Sequence, residues 1–194
     1  MKKILLYSIL LFTLNSNGQT LLEIAKALAG KTDDNTTSIQ KNSYKEVMNQ
    51  VVTINSASNA RFSGGTSRQG LKLMLPIGTT KWYYRITLQD AYGNYSYQPR
   101  ENLFSLLTNN FPLFVNNQTD YGIDFYVIDD FSISNFRQTG NDIFRYYTSY
   151  SKEKTRGTWG ECQLTQNNLW IGLRNNNMSQ GLKAIVEVVA YGNY

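Results

Sequence analysis

The chain has 194 residues, with 19 Lys and Arg against 14 Asp and Glu, no histidine and one cysteine. That length fits one domain with a core of its own. The lack of histidine excludes Ser-His-Asp and Cys-His catalysis and the usual histidine metal ligands, a lone cysteine excludes an internal disulfide, and basic residues scattered without a stripe, apart from a loose cluster in SKEKTR (151–156), argue against a nucleic-acid partner.

Lys2 and Lys3 precede an apolar run from Ile4 to Leu14, and the polar stretch NSNGQT follows. Charged, apolar, then polar is the order of a secretory signal peptide. Residues 1–19 are therefore expected to be removed, with cleavage near Gly18 or Gln19. The apolar run is too short to span a bilayer, and no cysteine follows it to accept a lipid. The expectation is a secreted or periplasmic protein with no membrane span in the mature chain. Loss of Lys2 and Lys3 lowers the formal +5 by two.

TLLEIAKALAG (20–30) places Leu21, Ile24, Ala25 and Leu28 on one helical face. KTDDNTTSIQKNS (31–43) is polar and without period, a linker. From Tyr44 to Tyr194 the pattern is that of strands. EVMNQVVTI (46–54) is the first. SGGTSRQG (63–70) reads as a loop, and LKLMLPI (71–77) as a strand with Leu71, Leu73, Leu75 and Ile77 on one face, ending at Pro76. In KWYYRITL (81–88), Trp82, Tyr84, Ile86 and Leu88 share one parity, and Lys81, Tyr83, Arg85 and Thr87 the other. Strand side chains alternate between faces, so the first set is core and the second faces outward. AYGNYSY (91–97) reads as a loop.

PRENLFSLLTNN (99–110) reads as a helix starting at Pro99, with Leu103, Leu106 and Leu107 on one face. It is expected to pack over an edge or end of the fold. Strands are predicted again at YGIDFYVID (121–129), FSISNF (131–136), DIFRYYTSY (142–150), TWGECQL (158–164), LWIGLR (169–174) and GLKAIVEVVAY (181–191). About eight short strands joined by Gly- and Asn-rich turns define an all-β, antiparallel sandwich, jelly-roll or GOLD-like, with one or two short helices.

The order LPIGTTKWYYRITL, GIDFYVID, GTWGECQLTQNNLWIGLRNNN, LKAIVEVVA resembles a GOLD-type β-sandwich over about residues 45–191. Gly78 and Trp82 stand in its first motif, Asp124, Phe125 and Val127 in the second, and Trp170, Gly172 and Asn175 near the third. The order of Ile123 and Asp124 is reversed from the family's pattern, and its membrane anchor, coiled coil and cysteine pair are missing. The family is known from Golgi-trafficking and lipid-transfer proteins. What the resemblance implies is a sandwich that binds rather than catalyses.

Catalytic candidates are few. Cys162 has no imidazole partner and alternates with Gly160 and Leu164, as a buried thiol does. Asp120, Asp124, Asp129, Asp130, Asp142 and Glu161 sit in no diagnostic pair. Asp129, Asp130 and Asn135 lack the spacing of a calcium loop. No catalytic residue, metal or cofactor is therefore expected.

The outward aromatic face is the positive candidate. Tyr83 and Arg85 on one strand, and Trp170 and Arg174 on another that shares its sheet if the arrangement is GOLD-like, form the predicted ligand-binding group, unless one of the two helices covers this face; Trp159 is undecided. A Trp with Tyr and Arg suits a protein hot spot or a sugar platform. The expected function is a non-catalytic interaction module of the cell envelope or exterior, recognising a protein partner. The alternative is a carbohydrate-binding module for an envelope polysaccharide.

Overall fold

The computed structural model describes residues 42–91, 101–138, 140 and 142–194, all within the compact unit Gln40–Tyr194. The expected signal peptide, the helix at 20–30, the loop at 92–97 and Pro99 lie outside the described residues. The elements are β1 (Asn42–Ile54), α1 (Ala57–Phe62), β2 (Arg68–Lys72), β3 (Thr79–Asp90), α2 (Leu103–Thr108), β4 (Ile123–Asp129), α3 (Ile133–Arg137), a 3-10 turn (Thr148–Tyr150), β5 (Lys152–Thr155), β6 (Thr158–Cys162), β7 (Leu169–Arg174) and β8 (Leu182–Asn193).

They form two four-stranded sheets, ordered β1-β8-β3-β6 and β2-β7-β4-β5. Every named strand pair is antiparallel. Among the described strands only the β4–β5 connection stays within one sheet, and this order is that of an eight-stranded jelly roll. The expected all-β sandwich is the fold observed.

Alternation accounts for the core. Trp82, Tyr84, Ile86 and Leu88 of β3 meet Ile123, Phe125 and Val127 of β4 and Leu169, Ile171 and Leu173 of β7. Tyr84 stacks on Phe125 with ring centroids 4.7 Å apart. A Cβ at Gly160 would stand 2.6 Å from the Tyr84 hydroxyl, so the missing side chain there makes room for the ring. Burial pushes the Tyr84 phenol up to about 12 and the Cys162 thiol up to about 11.

Four expectations require correction. FSISNF is not a strand: its apolar residues Ile133 and Phe136 stand three apart and are buried on one side of α3. The Asp129 carboxylate accepts from the Ser132 amide at 2.9 Å and turns the chain into that helix. DIFRYYTSY is not a strand either. Among the described residues its backbone reaches β4 by Tyr147 N–H to the Val127 carbonyl, 2.9 Å, and a 3-10 turn follows. LKLMLPI leaves the sheet at Lys72; Leu73 and Leu75 stay buried, but Ile77 is 94% exposed beyond Pro76. The strand instead begins inside the predicted loop, at Arg68.

The other departures are smaller. The helix in 99–110 starts at Leu103, because the Asn102 side chain accepts from the Ser105 amide at 2.8 Å and caps it. Its buried residues are Leu103, Leu106 and Leu107, as the periodicity predicts. α1 and β5 were not legible, since ASNARF is short and KEKT carries no apolar alternation.

Candidate functional site

The four residues selected by parity do not come together. Tyr83 and Arg85 lie on β3 in one sheet, and Trp170 and Arg174 on β7 in the other. The shared sheet is thus corrected. Each pair points away from the common core, on opposite faces of the sandwich.

Neither outer face is bare. On the first, α2 lies over β1 and β8, and the residues flanking it, Glu101 and Phe114, reach Arg85 of β3. Leu103 and Leu107 pack on Val189, with Tyr44, Tyr83, Phe104 and Leu113 around them. Arg85 is 1% exposed. Its Nε donates to Glu187 Oε2 at 2.6 Å and its Nη2 to Glu187 Oε1 at 3.0 Å. The same Nη2 donates to the Glu101 carbonyl at 2.7 Å, and the Leu103 amide donates to Glu187 Oε1 at 2.8 Å. The ion pair therefore clamps the start of α2 to the sheet. Tyr83 is half-buried beside Tyr44, centroids 6.2 Å apart; burial first, with Lys81 and Glu161 beside it, leaves its phenol above the ordinary value.

On the second face, the β4–β5 connection forms a strap. Tyr126 and Ile128 meet Ile133, Phe136, Phe144, Tyr146 and Trp170 there. Two paired glycines, Gly70 and Gly172, make a trough for α3. A Cβ at Gly172 would stand 2.5 Å from Ile128 and 3.0 Å from the Phe136 ring; one at Gly70 would stand 2.8 Å from Ile133. Arg174 donates to Asp124 Oδ2 at 2.9 Å, to Asp142 Oδ1 at 2.7 Å and to the Tyr126 hydroxyl at 2.8 Å. Arg68 meets the same Asp142 oxygen at 2.6 Å. Trp170 donates its indole N–H to Asp130 and has Arg137 at 4.8 Å and Lys72 at 5.6 Å from its ring. Parity identified which side of the sheet these residues occupy. It carried no information on whether that side is wet. The signal that was available is the glycine in the middle of LWIGLR, since a strand glycine marks a close approach by other atoms.

Depressions lie open on the surface of the described residues. The first, about 610 Å³, is lined by Asp129, Phe131, Ser132, Asn135, Asp142, Ile143, Phe144 and Arg145 of the strap. Phe131 is 86% exposed and Ile143 84%. The second, about 330 Å³, is lined by Gly122, Ile123, Asp124, Lys154, Arg156, Asn176 and Asn177. The third, about 600 Å³, is lined by Val115, Asn117, Lys152, Gly157, Thr158 and Trp159. Trp159, undecided from the sequence, is 45% exposed on β6.

The acidic candidates have structural partners. Asp124 accepts from the Lys154 amide, Arg174 and Asn176, at 2.8, 2.9 and 2.6 Å. Glu161 pairs with Lys81 at 2.9 Å, and that hydrogen bond holds its carboxyl below the usual range. Among the described residues no group of three His, Cys, Asp or Glu is placed to hold a metal ion, and no helix is long and apolar enough to cross a membrane. No protein-family model matches the chain, and no curated protein matches it either.

Proposed function

We propose that this protein is a non-catalytic interaction module of the cell envelope or exterior, and that it engages a protein partner through the cleft on the β4–β5 strap. The observation that carries this reading is the exposure of Phe131 and Ile143 on the lining of that cleft. Large apolar side chains held out beside a concave surface are the material of interface hot spots. They are held on structure: Ile133, Phe136 and Phe144, within a few residues of them, pack on Tyr126 and Ile128 of the sheet below. A partner would bring an apolar side chain for the cleft and polar groups for Arg145, Asn135 and Ser132.

The non-catalytic reading is supported by a thiol buried with its pKa raised and by carboxylates already paired with Arg85, Arg174 and Lys81. The likeness to GOLD-type sandwiches supports it too. The envelope or exterior location rests on the charged, apolar, polar order of residues 1–19.

The test is cross-linking and affinity capture from an envelope extract with the purified protein, compared with Phe131→Ser, Ile143→Ser. Specific capture of one protein, lost in the variant while its melting temperature is kept, is the expected result. Equal capture by both proteins removes the cleft from consideration.

A further inference from the structure

We infer that the corner between β5 and β6 is a second binding site, for an acidic polysaccharide whose carboxylates or sulfates meet Lys152, Lys154 and Arg156 and whose sugar ring lies on Trp159. It goes beyond the strap cleft and does not depend on it.

Three cations and one carboxylate, Glu153, fall within the five residues 152–156; Glu153 accepts from the Tyr126 hydroxyl at 3.2 Å, on the outer side of β4. Lys152 and Lys154 have no ion-pair partner among the described residues. Arg156 approaches Asp120 at 3.5 Å, with both side chains largely in water, where such a contact contributes little. Asp124 does not offset them, because Arg174 already pairs with it at 2.8 Å. The corner therefore presents net positive charge, a complement for an anion.

Trp159 shares a depression with Lys152 and Gly157, and Lys154 and Arg156 line another. Trp159 is on an edge strand, opposite Arg85 in register and on its outer face. Unlike Trp170, it has no cation over it and no indole partner among the described residues. An open indole face stacks on the apolar face of a sugar.

The corner is also held in shape before any ligand arrives. Lys154 adopts φ +50°, left-handed for a side chain that resists it, and its amide is tied to Asp124 Oδ1 at 2.8 Å. Thr155 Oγ1 donates to the Gly157 carbonyl at 2.6 Å. Gly157 has φ +137°, and a Cβ on it would stand 2.3 Å from Asn117 Oδ1. Asn117 is itself fixed, accepting from the Leu88 amide at 3.1 Å. Binding to a corner already ordered avoids most of the entropy of ordering it.

The experiment measures binding of the purified protein to immobilised polyuronate, dextran sulfate and neutral dextran, across a salt series. The proposal expects retention on one or both acidic polymers and none on neutral dextran. Lys154→Gln with Arg156→Gln should weaken binding at least tenfold and flatten its salt dependence. Trp159→Ala should weaken it at least fivefold and leave the salt dependence as it was. The charge-matched pair Lys45→Gln, Arg61→Gln, far along the chain, should change nothing. Polyuronate against dextran sulfate distinguishes the carboxylate from the sulfate source. Absence of retention, equal weakening by the two charge pairs, or an unaffected Trp159→Ala would each overturn the site. Loss of the strap cleft by Phe131→Ser, Ile143→Ser leaves this binding intact, so the two sites fail separately.

Discussion

Arg85 and Glu187 hold opposite charges whose side chains are 2% and 3% exposed. Two charges out of water are stable only while they have each other. Arg85→Met leaves Glu187 buried and unpaired and should destabilise the protein by about 3 kcal/mol or more. The double change Arg85→Met, Glu187→Met should recover most of that loss. It should stay short of wild type by about 1 kcal/mol, because the Leu103 amide loses its acceptor. Denaturant titration of the three proteins checks both. The pattern KWYYRITL showed which residues face the core, and Arg85 was placed on the correct side of its strand. That it is buried there was not legible. Its cover is a helix that starts eighteen residues further on, at Leu103, and its partner is in the last strand.

The Cys162 thiol and the Tyr84 phenol make the core sensitive to alkali. Burial raises the folded-state pKa from 9.0 to about 11 for the thiol and from 10.0 to about 12 for the phenol. Their neutral forms favour the folded state, so that stability is complete below the unfolded pKa values. It is lost as pH rises through 9 to 11 for Cys162 and 10 to 12 for Tyr84. The urea midpoint should therefore fall above pH 9, and Cys162→Ala should fall less steeply over the first half of that range. Cys162 should also stay unreactive to a thiol reagent until the protein is unfolded.

At the scale of elements, the two outer coverings are held by different chemistry. α2 depends on a cap and a clamp, α3 on a glycine trough. Asn102→Ala removes the side-chain acceptor for the Ser105 amide and should cost about 1 kcal/mol, read by thermal melting. Gly172→Ala puts a methyl into the space of Ile128 and Phe136 and should cost about 1–3 kcal/mol. It should also make the strap, residues 130–151, a preferred site of protease cutting. The strap is where sequence reading failed most. FSISNF and DIFRYYTSY carry the aromatic and β-branched residues of strands, but Phe136, Phe144 and Tyr146 pack against Tyr126 on the outside of a sheet, and Phe131 stands in solvent. Composition identifies a buried ring. It does not identify which layer buries it.

For the molecule as a whole, the fold class was legible because alternation and turn residues recur along most of the chain. The division of strands between sheets was not, since parity is a property of one strand and pairing of two. That gap is what placed Tyr83 and Arg85 with Trp170 and Arg174. The open surfaces are hidden for a related reason: Phe131 and Ile143 fall in stretches whose composition reads as strand, and composition does not say which large apolar residue faces water. Both are far out in solvent, so their replacement by Ser should change stability by less than about 0.5 kcal/mol, the usual range for surface positions. A melting curve of Phe131→Ser, Ile143→Ser checks this apart from any partner.

The pairing of the first and last strands has one more consequence. Asn42 lies opposite Asn193 and Ile54 opposite Leu182, so the fold's two ends leave from the same end of an antiparallel ladder. Tension applied through them loads the hydrogen bonds one after another, like a zipper, rather than all at once. Pulled by its ends, this sandwich should open at low force, with β1 peeling from β8 while the β2-β7-β4-β5 sheet is still intact.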